Sequence, residues 1–537
     1  MNLARTPAPR RRTGRTASAL AMTTALGLGL ASCSGNQEPK VTAAEAPTDG
    51  VLRLGFLQDP GQPPDPDVYY ASSGLALTTN LYEGLVQYAE GGGSKIVADL
   101  ATSWSVDKSN TVFTFHLRRG VTFHDGTPLT SAAVQASFER RLAVGGGPGY
   151  MAEGVKSFAT PDPYTSVITL KEPNSAFLSQ LASPYGVKLM SPTGLEQHAG
   201  TDHAQTYLKT HDLGTGPYTL TVARTDDRYQ MKAYDGYRGA KPAFSTVEFT
   251  VYKDTSAQQL ALNNGNLAAI IGTVPAAAQT TYAASAKLRS YALPSFQVGV
   301  LYMNPHRPFL AKAAGRKALF EAIDWKSIIE QILPKSNVLA TSAYAQGSLP
   351  DGTAPVKIVH DPGPLASYAA SLPKGTKVTI GVNTSGTDIQ QISELVAAQL
   401  QALGLDATVT QYQTSEIFGN WHKNPEDAAD LMISTKTYPD SPDPYLYGHV
   451  FWDPDGGLNH LGCSDPDVTA HLRKGLASGS DQEYAAAAAA EQKAMCTPIW
   501  SFARDFVVAQ PWLGRVAESH SVAAPNTLDF DKLTITD

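Results

Sequence analysis

The sequence predicts an α/β protein of more than one folded region. Three observations carry that reading. The 537 residues exceed what one hydrophobic core usually supports. Residues 377–413 read as strand, amphipathic helix, strand, a unit that implies a parallel sheet. Elsewhere, short alternating strands are set off by Gly and Asp-Gly turns.

The chain opens with Arg5, Arg10, Arg11, Arg12 and Arg15 in a segment free of acidic residues. An uncharged run from Ala17 to Ala31 follows, too short for a comfortable bilayer span of about 20 residues. This order of charged, apolar and small residues is that of a secretory signal. Leu30-Ala31-Ser32-Cys33 closes it and resembles the lipobox of bacterial lipoproteins, which makes Cys33 the expected lipidation site and residues 1–32 the signal. Residues 33–49, small, polar and aperiodic, are expected to form a flexible tether.

Of 42 basic side chains five lie in residues 1–32, so the mature part has 37 against 49 acidic ones and a net charge near −12. Affinity for phosphate backbones comes from Lys and Arg, so nucleic acid is excluded as a partner.

"VLRLGF" (51–56) reads as the first strand. "TVFTFHL" (111–117) puts Phe113, Phe115 and Leu117 on one face. "VTFHDGTPL" turns at Asp125-Gly126, and a helix is expected from Ser131 with Val134, Phe138 and Leu142 inward. Further on, "KVTIGVN" is a strand. The helix after it carries Ile389, Ile392, Val396, Leu400 and Leu403 on one stripe and stops at Gly404. "DATVTQY" and "DLMIST" add strands. "SDQEYAAAAAAEQKAM" opens with Ser480 and Glu483 in capping-box spacing. Two sheet-containing regions are expected, divided near residue 300.

No H-E-x-x-H, G-x-S-x-G, P-loop or G-x-G-x-x-G behind a strand occurs. None of these catalytic or cofactor-binding signatures is therefore available to assign an enzyme activity, and no cofactor is expected. His124-Asp125 reads as a turn more readily than as an acid/base pair. His449, His460, Cys463 and Cys496 offer an incomplete zinc pattern. Export oxidises such cysteines, so a Cys463–Cys496 disulfide is favoured over free thiols, and no metal is expected.

The positive signal is "TYPDSPDPYLY" (437–447), which leaves "DLMIST" at its carboxyl end, where open α/β sheets bind ligands. Its prolines stiffen the loop. Tyr438 and Tyr445 offer flat faces with polar tips, and Asp440 and Asp443 can hold a cation or an amine. A rigid surface turn is the other reading of the same residues.

The order of segments resembles family 5 of the extracytoplasmic solute-binding proteins, the peptide/nickel/opine-type receptors of ATP-binding-cassette importers. The segments are "NLYEGLVQY" (80–88), "ADLATSWSVDKSNTVFTFHLRRGVTFHDGTPLTSAAVQASFERRL" (98–142), "GTGPY" (214–218), "YDGYRGAKPAFSTVEFTVYKD" (234–254) and "RKALFEAIDWKSII" (316–329). The resemblance implies a two-lobed, hinged periplasmic-binding-protein-like fold, type II with an extra domain. Lobe I would comprise residues 50–84, 211–302 and 504–537, the extra domain 85–210, and lobe II 303–503. It further implies a binding protein that is not an enzyme, a monomer that hands a solute, foremost an oligopeptide or modified peptide, to a membrane permease, held nearby by the lipid on Cys33. Tyr70, Ser72 and Ser73 fall where family members contact ligand, and Trp500 and Phe502 at the second hinge crossing. In the peptide-binding branch, the first Asp of the loop at 437–447 pairs with the peptide amine. Here that position is Thr437 or Tyr438, which leaves Asp440 or Asp443 for the role. A ligand with a masked or absent amine (a modified peptide, an oligosaccharide, an opine or a metal chelate) would fit as well, and a signalling receptor of the same fold without transport is the alternative of another class.

Overall fold

The computed structural model describes residues 44–89, 93–383, 387–421 and 423–536. The signal and Cys33 lie outside them. Of the expected tether only residues 44–49 are described, and they are docked: the Ala44 amide donates to Gln510 Oε1 at 3.1 Å, and Ala46 packs on a core that includes Leu52 and Leu513.

A first sheet orders Val51–Leu57, Thr246–Tyr252, Arg228–Ala233 and Tyr218–Arg224, its first pair parallel and the others antiparallel. Leu52, Leu54 and Phe56 alternate into its core. A second sheet, antiparallel throughout, orders Ala101–Val106, Val112–Leu117, Thr165–Leu170 and Val155–Asp162. Phe113, Phe115 and Leu117 are buried, as the alternation predicts.

The central sheet has seven strands. It runs Ala269–Ile271, Ile499–Ala509, Arg289–Met303, Leu431–Ile433, Lys377–Asn383 and Asp406–Tyr412, with Asn337–Leu339 beside Ile499–Ala509. Lys377–Asn383, Thr387–Ala402 and Asp406–Tyr412 form the expected βαβ unit, the two strands in parallel register from Lys377–Asp406 to Asn383–Tyr412. Ile392, Val396 and Leu400 are buried beneath it, and Gly404, at φ +92°, makes the turn.

The expected division near residue 300 falls within a strand. It lies inside Arg289–Met303, which pairs antiparallel with Ile499–Ala509 from Arg289–Ala509 to Val300–Ile499. These two strands join the regions the sequence suggested were divided. Their register breaks between Pro294 and Val298, where proline offers no amide to the ladder.

Two local expectations fail for identifiable reasons. The Ser131–Val144 helix forms and buries Val134 and Phe138, but Leu142 is 42% exposed. The last inward turn is taken by Arg140 and Arg141. Arg140 binds Asp65 and Asp67 at 2.6 Å each, and Arg141 binds Asp67 at 2.5 Å, all four side chains buried. The Asp481–Ala494 helix forms without a side-chain cap from Ser480. Its Glu483 is engaged elsewhere, with Oε2 2.7 Å from His471 Nδ1.

The "HDG" motif is structural. His124 Nδ1 meets Asp212 and its Nε2 lies 3.0 Å from the Gly216 carbonyl, while Asp125 Oδ1 accepts the Thr127 amide at 2.9 Å. In "GTG", a Cβ on Gly214 would come within 2.0 Å of the Leu81 carbonyl, so only glycine fits this close approach. Cys463 and Cys496 are joined to each other, Cα atoms 5.2 Å apart, which removes both from any zinc ligand set.

Candidate functional site

The "TYPDSPDPYLY" loop begins where the Leu431–Ile433 strand ends. It stays fastened to the long Arg289–Met303 strand: the Val298 amide donates to the Thr437 carbonyl at 2.9 Å, and the Thr437 amide donates back at 2.8 Å. The loop thus leaves the central sheet at the point where that strand's register breaks. The Tyr438 hydroxyl then donates to the Ala523 carbonyl, in the C-terminal segment.

Asp440 follows in the left-handed region, at φ 62°, a conformation Asp tolerates better than most residues. It is buried, and three distant segments converge on it. The Tyr70 hydroxyl donates to its Oδ2, as does the Tyr150 hydroxyl at 2.8 Å, and the Ser183 hydroxyl donates to its carbonyl at 2.6 Å. Tyr185 packs edge-on to Tyr70, centroids 5.0 Å apart, and lies 6.2 Å from the Tyr438 ring. Next along, the Ser441 and Tyr88 hydroxyls lie 2.5 Å apart.

The electrostatics of Asp440 are unusual for a buried carboxylate. No Lys or Arg among the described residues pairs with it. Burial pushes its carboxyl up to about 6, opposed by the two tyrosine hydroxyls and, more weakly, by His449. Burial and the adjacent carboxylate hold Tyr70 and Tyr150 well above the usual phenol range, so both remain neutral donors.

Beside this cluster lies a cavity of about 310 Å³. Tyr150, Phe177, Gln180, Tyr445 and His449 line it together with Asn174, whose Oδ1 is buried without a partner. Tyr445 stacks on His449 with centroids 5.7 Å apart, and His449 Nδ1 is 2.9 Å from Asp453 Oδ2. Tyr150 faces both places, lining the cavity and donating to Asp440.

Of the residues singled out from sequence, the structure brings Tyr70, Tyr438, Asp440 and Tyr445 to this junction. Asp443 sits beside them as the N-cap of the Pro444–Trp452 helix, Oδ1 accepting the Tyr445 amide at 2.8 Å and the Leu446 amide at 3.4 Å. Ser73 bonds to the Tyr69 hydroxyl at 3.2 Å and is exposed, and Ser72 is half-buried next to it. Trp500 is not brought to the junction. It is fully buried, stacked on Trp325 at 4.9 Å, and its Nε1 donates to the Ser434 carbonyl at 3.1 Å. Phe502 lies in the apolar cluster that also holds Tyr438. Sequence reasoning missed Tyr150, Ser183 and Tyr185. Tyr150 follows the helix-breaking "GGGPG", and Ser183 and Tyr185 flank Pro184 in "ASPY", which was the available signal.

The profile described as bacterial extracellular solute-binding proteins, family 5 Middle, matches residues 95–459. The chain belongs to this family. It is an extracytoplasmic solute-binding protein of an ATP-binding-cassette importer, of the peptide/nickel/opine type, and not an enzyme. It is 27% identical over 445 residues to a probable D,D-dipeptide-binding periplasmic protein of Escherichia coli, covering 82% of this chain and 84% of that one. It is 25% identical to the dipeptide-binding protein of the same organism, covering 69% and 72%. Two solved structures share the fold: NikA from Brucella suis with Fe(III)-EDTA (TM-score 0.79, 21% identity, 90% of this chain and 100% of that chain) and DppA from Helicobacter pylori with the peptide STSA (TM-score 0.77, 19% identity, 90% and 98%).

Proposed function

We propose that this solute-binding protein captures an oligopeptide or modified peptide, is anchored by lipid on Cys33, and delivers its ligand to the importer's permease. The supporting observation is Asp440: a buried carboxylate where four distant segments meet, satisfied only by neutral hydroxyl donors. A ligand ammonium placed against it would replace a costly buried charge with an ion pair. The adjacent aromatic cavity suits the side chains that follow such an amine.

In this reading residues 50–84, 211–302 and 504–537 form lobe I, 85–210 the extra domain and 303–503 lobe II. Arg289–Met303 and Ile499–Ala509 are the hinge strands. Tyr70 belongs to lobe I, Tyr150 and Ser183 to the extra domain, and Asp440 to lobe II, so the cluster assembles only when the parts close. A ligand that touches several of them shifts the population toward the closed form. The relatives named for dipeptides support a peptide.

Native mass spectrometry of the mature protein, purified without its lipid from rich medium, tests the substrate class. A bound mass that fragments as a peptide is expected. A sugar, opine or chelate overturns the peptide reading while leaving the binding role intact.

A further inference from the structure

A second cavity, of about 210 Å³, shares no lining residue with the one beside Asp440. Its apolar wall includes Phe320, Trp452, Met495 and Ile499. Lys317, paired with Glu321, and exposed Lys357 also line it. Two polar groups on the wall are buried without a partner, and a third is a buried carboxylate that lacks an ion-pair partner. Trp452 is 1% exposed and its Nε1 has no acceptor. Thr497 is 3% exposed and its hydroxyl has no partner.

Glu491 is the third. Its carboxylate accepts the Thr497 amide at 2.7 Å and the Cys496 amide, and among the described residues no cation forms an ion pair with it. Arg316 is near, but its guanidinium is spent on the carbonyls of Leu310 at 2.7 Å, Ala494 at 2.5 Å and Met495 at 3.1 Å. Burial accordingly pushes Glu491 up to about 7. A carboxylate without an ion-pair partner, and an indole N–H and a hydroxyl without any partner, on a wall that also carries Phe320, Met495 and Ile499, are what a bound molecule would complete.

We propose that this cavity is a second ligand site, for a small primary amine with an apolar body and one oxygen acceptor. The ammonium meets Glu491, the oxygen accepts the Trp452 indole N–H, and the Thr497 hydroxyl serves either end. An apolar cavity of about 150 Å³ accommodates benzene, so this one takes a single ring with a short tail.

The probe is tyramine, titrated into the mature protein labelled with 5-fluorotryptophan. Six tryptophans give few resonances, and Trp452→Phe assigns the one that matters. The Trp452 fluorine signal should shift saturably below about 10 mM tyramine. 4-Ethylphenol, which lacks the amine, should bind at least about tenfold more weakly, as should tyramine to Glu491→Gln. Equal binding of tyramine and 4-ethylphenol overturns the proposal, and so does an unmoved Trp452 signal. The ligand pair keeps the test decisive even where Glu491→Gln folds poorly. Asp440→Asn should leave the shift intact, and loss of the shift there would assign the effect to the cleft and sink the second site.

Discussion

Two clusters of buried carboxylates show how differently one chain uses the same chemistry. Asp65 and Asp67 meet Arg140 and Arg141, and each charge has an opposite charge beside it. The Arg141 guanidinium also donates to the carbonyls of Tyr185 at 2.8 Å and Gly186 at 3.1 Å, so it is closed to any ligand. Asp440 is as deeply placed but receives only tyrosine hydroxyls on its carboxylate. A charge satisfied inside the protein ties segments together. A charge satisfied by neutral donors alone retains the capacity to take a cation. The first cluster is scaffold, and the second is the one we propose as the binding centre.

Breaking the scaffold should cost the most. Arg141→Ala leaves Asp67 short of a partner and four carbonyl contacts open, and should lower stability by about 3–5 kcal/mol in urea denaturation. Asp440→Asn should act in the opposite direction on the ligand-free protein. The folded Asp440 carboxyl is raised above its unfolded value of 3.8 to about 6, so its contribution to stability falls as pH rises from about 4 to 6 and stays lost above. Removing the charge should therefore stabilise the free protein by about 1–3 kcal/mol at pH 7, read from the same denaturation curves, and the gain should vanish near pH 4. If the variant is destabilised at pH 7, the two clusters are not different in kind. Tyr150→Phe is the smallest perturbation. It removes one donor from Asp440, should cost about 1 kcal/mol of ligand affinity by calorimetry, and should raise the pH at which binding is half lost.

Local pattern made much of the fold legible. Alternation placed Phe113, Phe115 and Leu117 inward, and a 3.6-residue stripe placed Ile392, Val396 and Leu400, because both signals are written within a dozen residues. Leu142 and Glu483 were misplaced by partners the local sequence does not contain: Asp65 and Asp67 draw Arg140 and Arg141 inward, and His471 takes the Glu483 carboxylate. The site was legible in half. The loop from Thr437 to Tyr445 identifies itself by prolines and aspartates at a strand end. Its partner Tyr150 lies 290 residues away, brought there by tertiary packing alone. Asp443 illustrates the ambiguity within the loop, since the same Asp-Pro that reads as ligand contact also starts a helix, and its Oδ1 accepts two of that helix's first amides.

The most direct test of the central claim is the affinity of alanyl-phenylalanine and its N-acetyl derivative for the parent protein and Asp440→Asn, measured by calorimetry between pH 5 and 8. For the parent, the free-amine peptide should bind more tightly than the acetylated one by about 2–5 kcal/mol at pH 7, a preference that fades as pH falls through about 6. In Asp440→Asn the preference and its pH dependence should both disappear. An unchanged preference in the variant, or a parent that favours the acetylated peptide at pH 7, would contradict the assignment of Asp440 as the amine-binding charge.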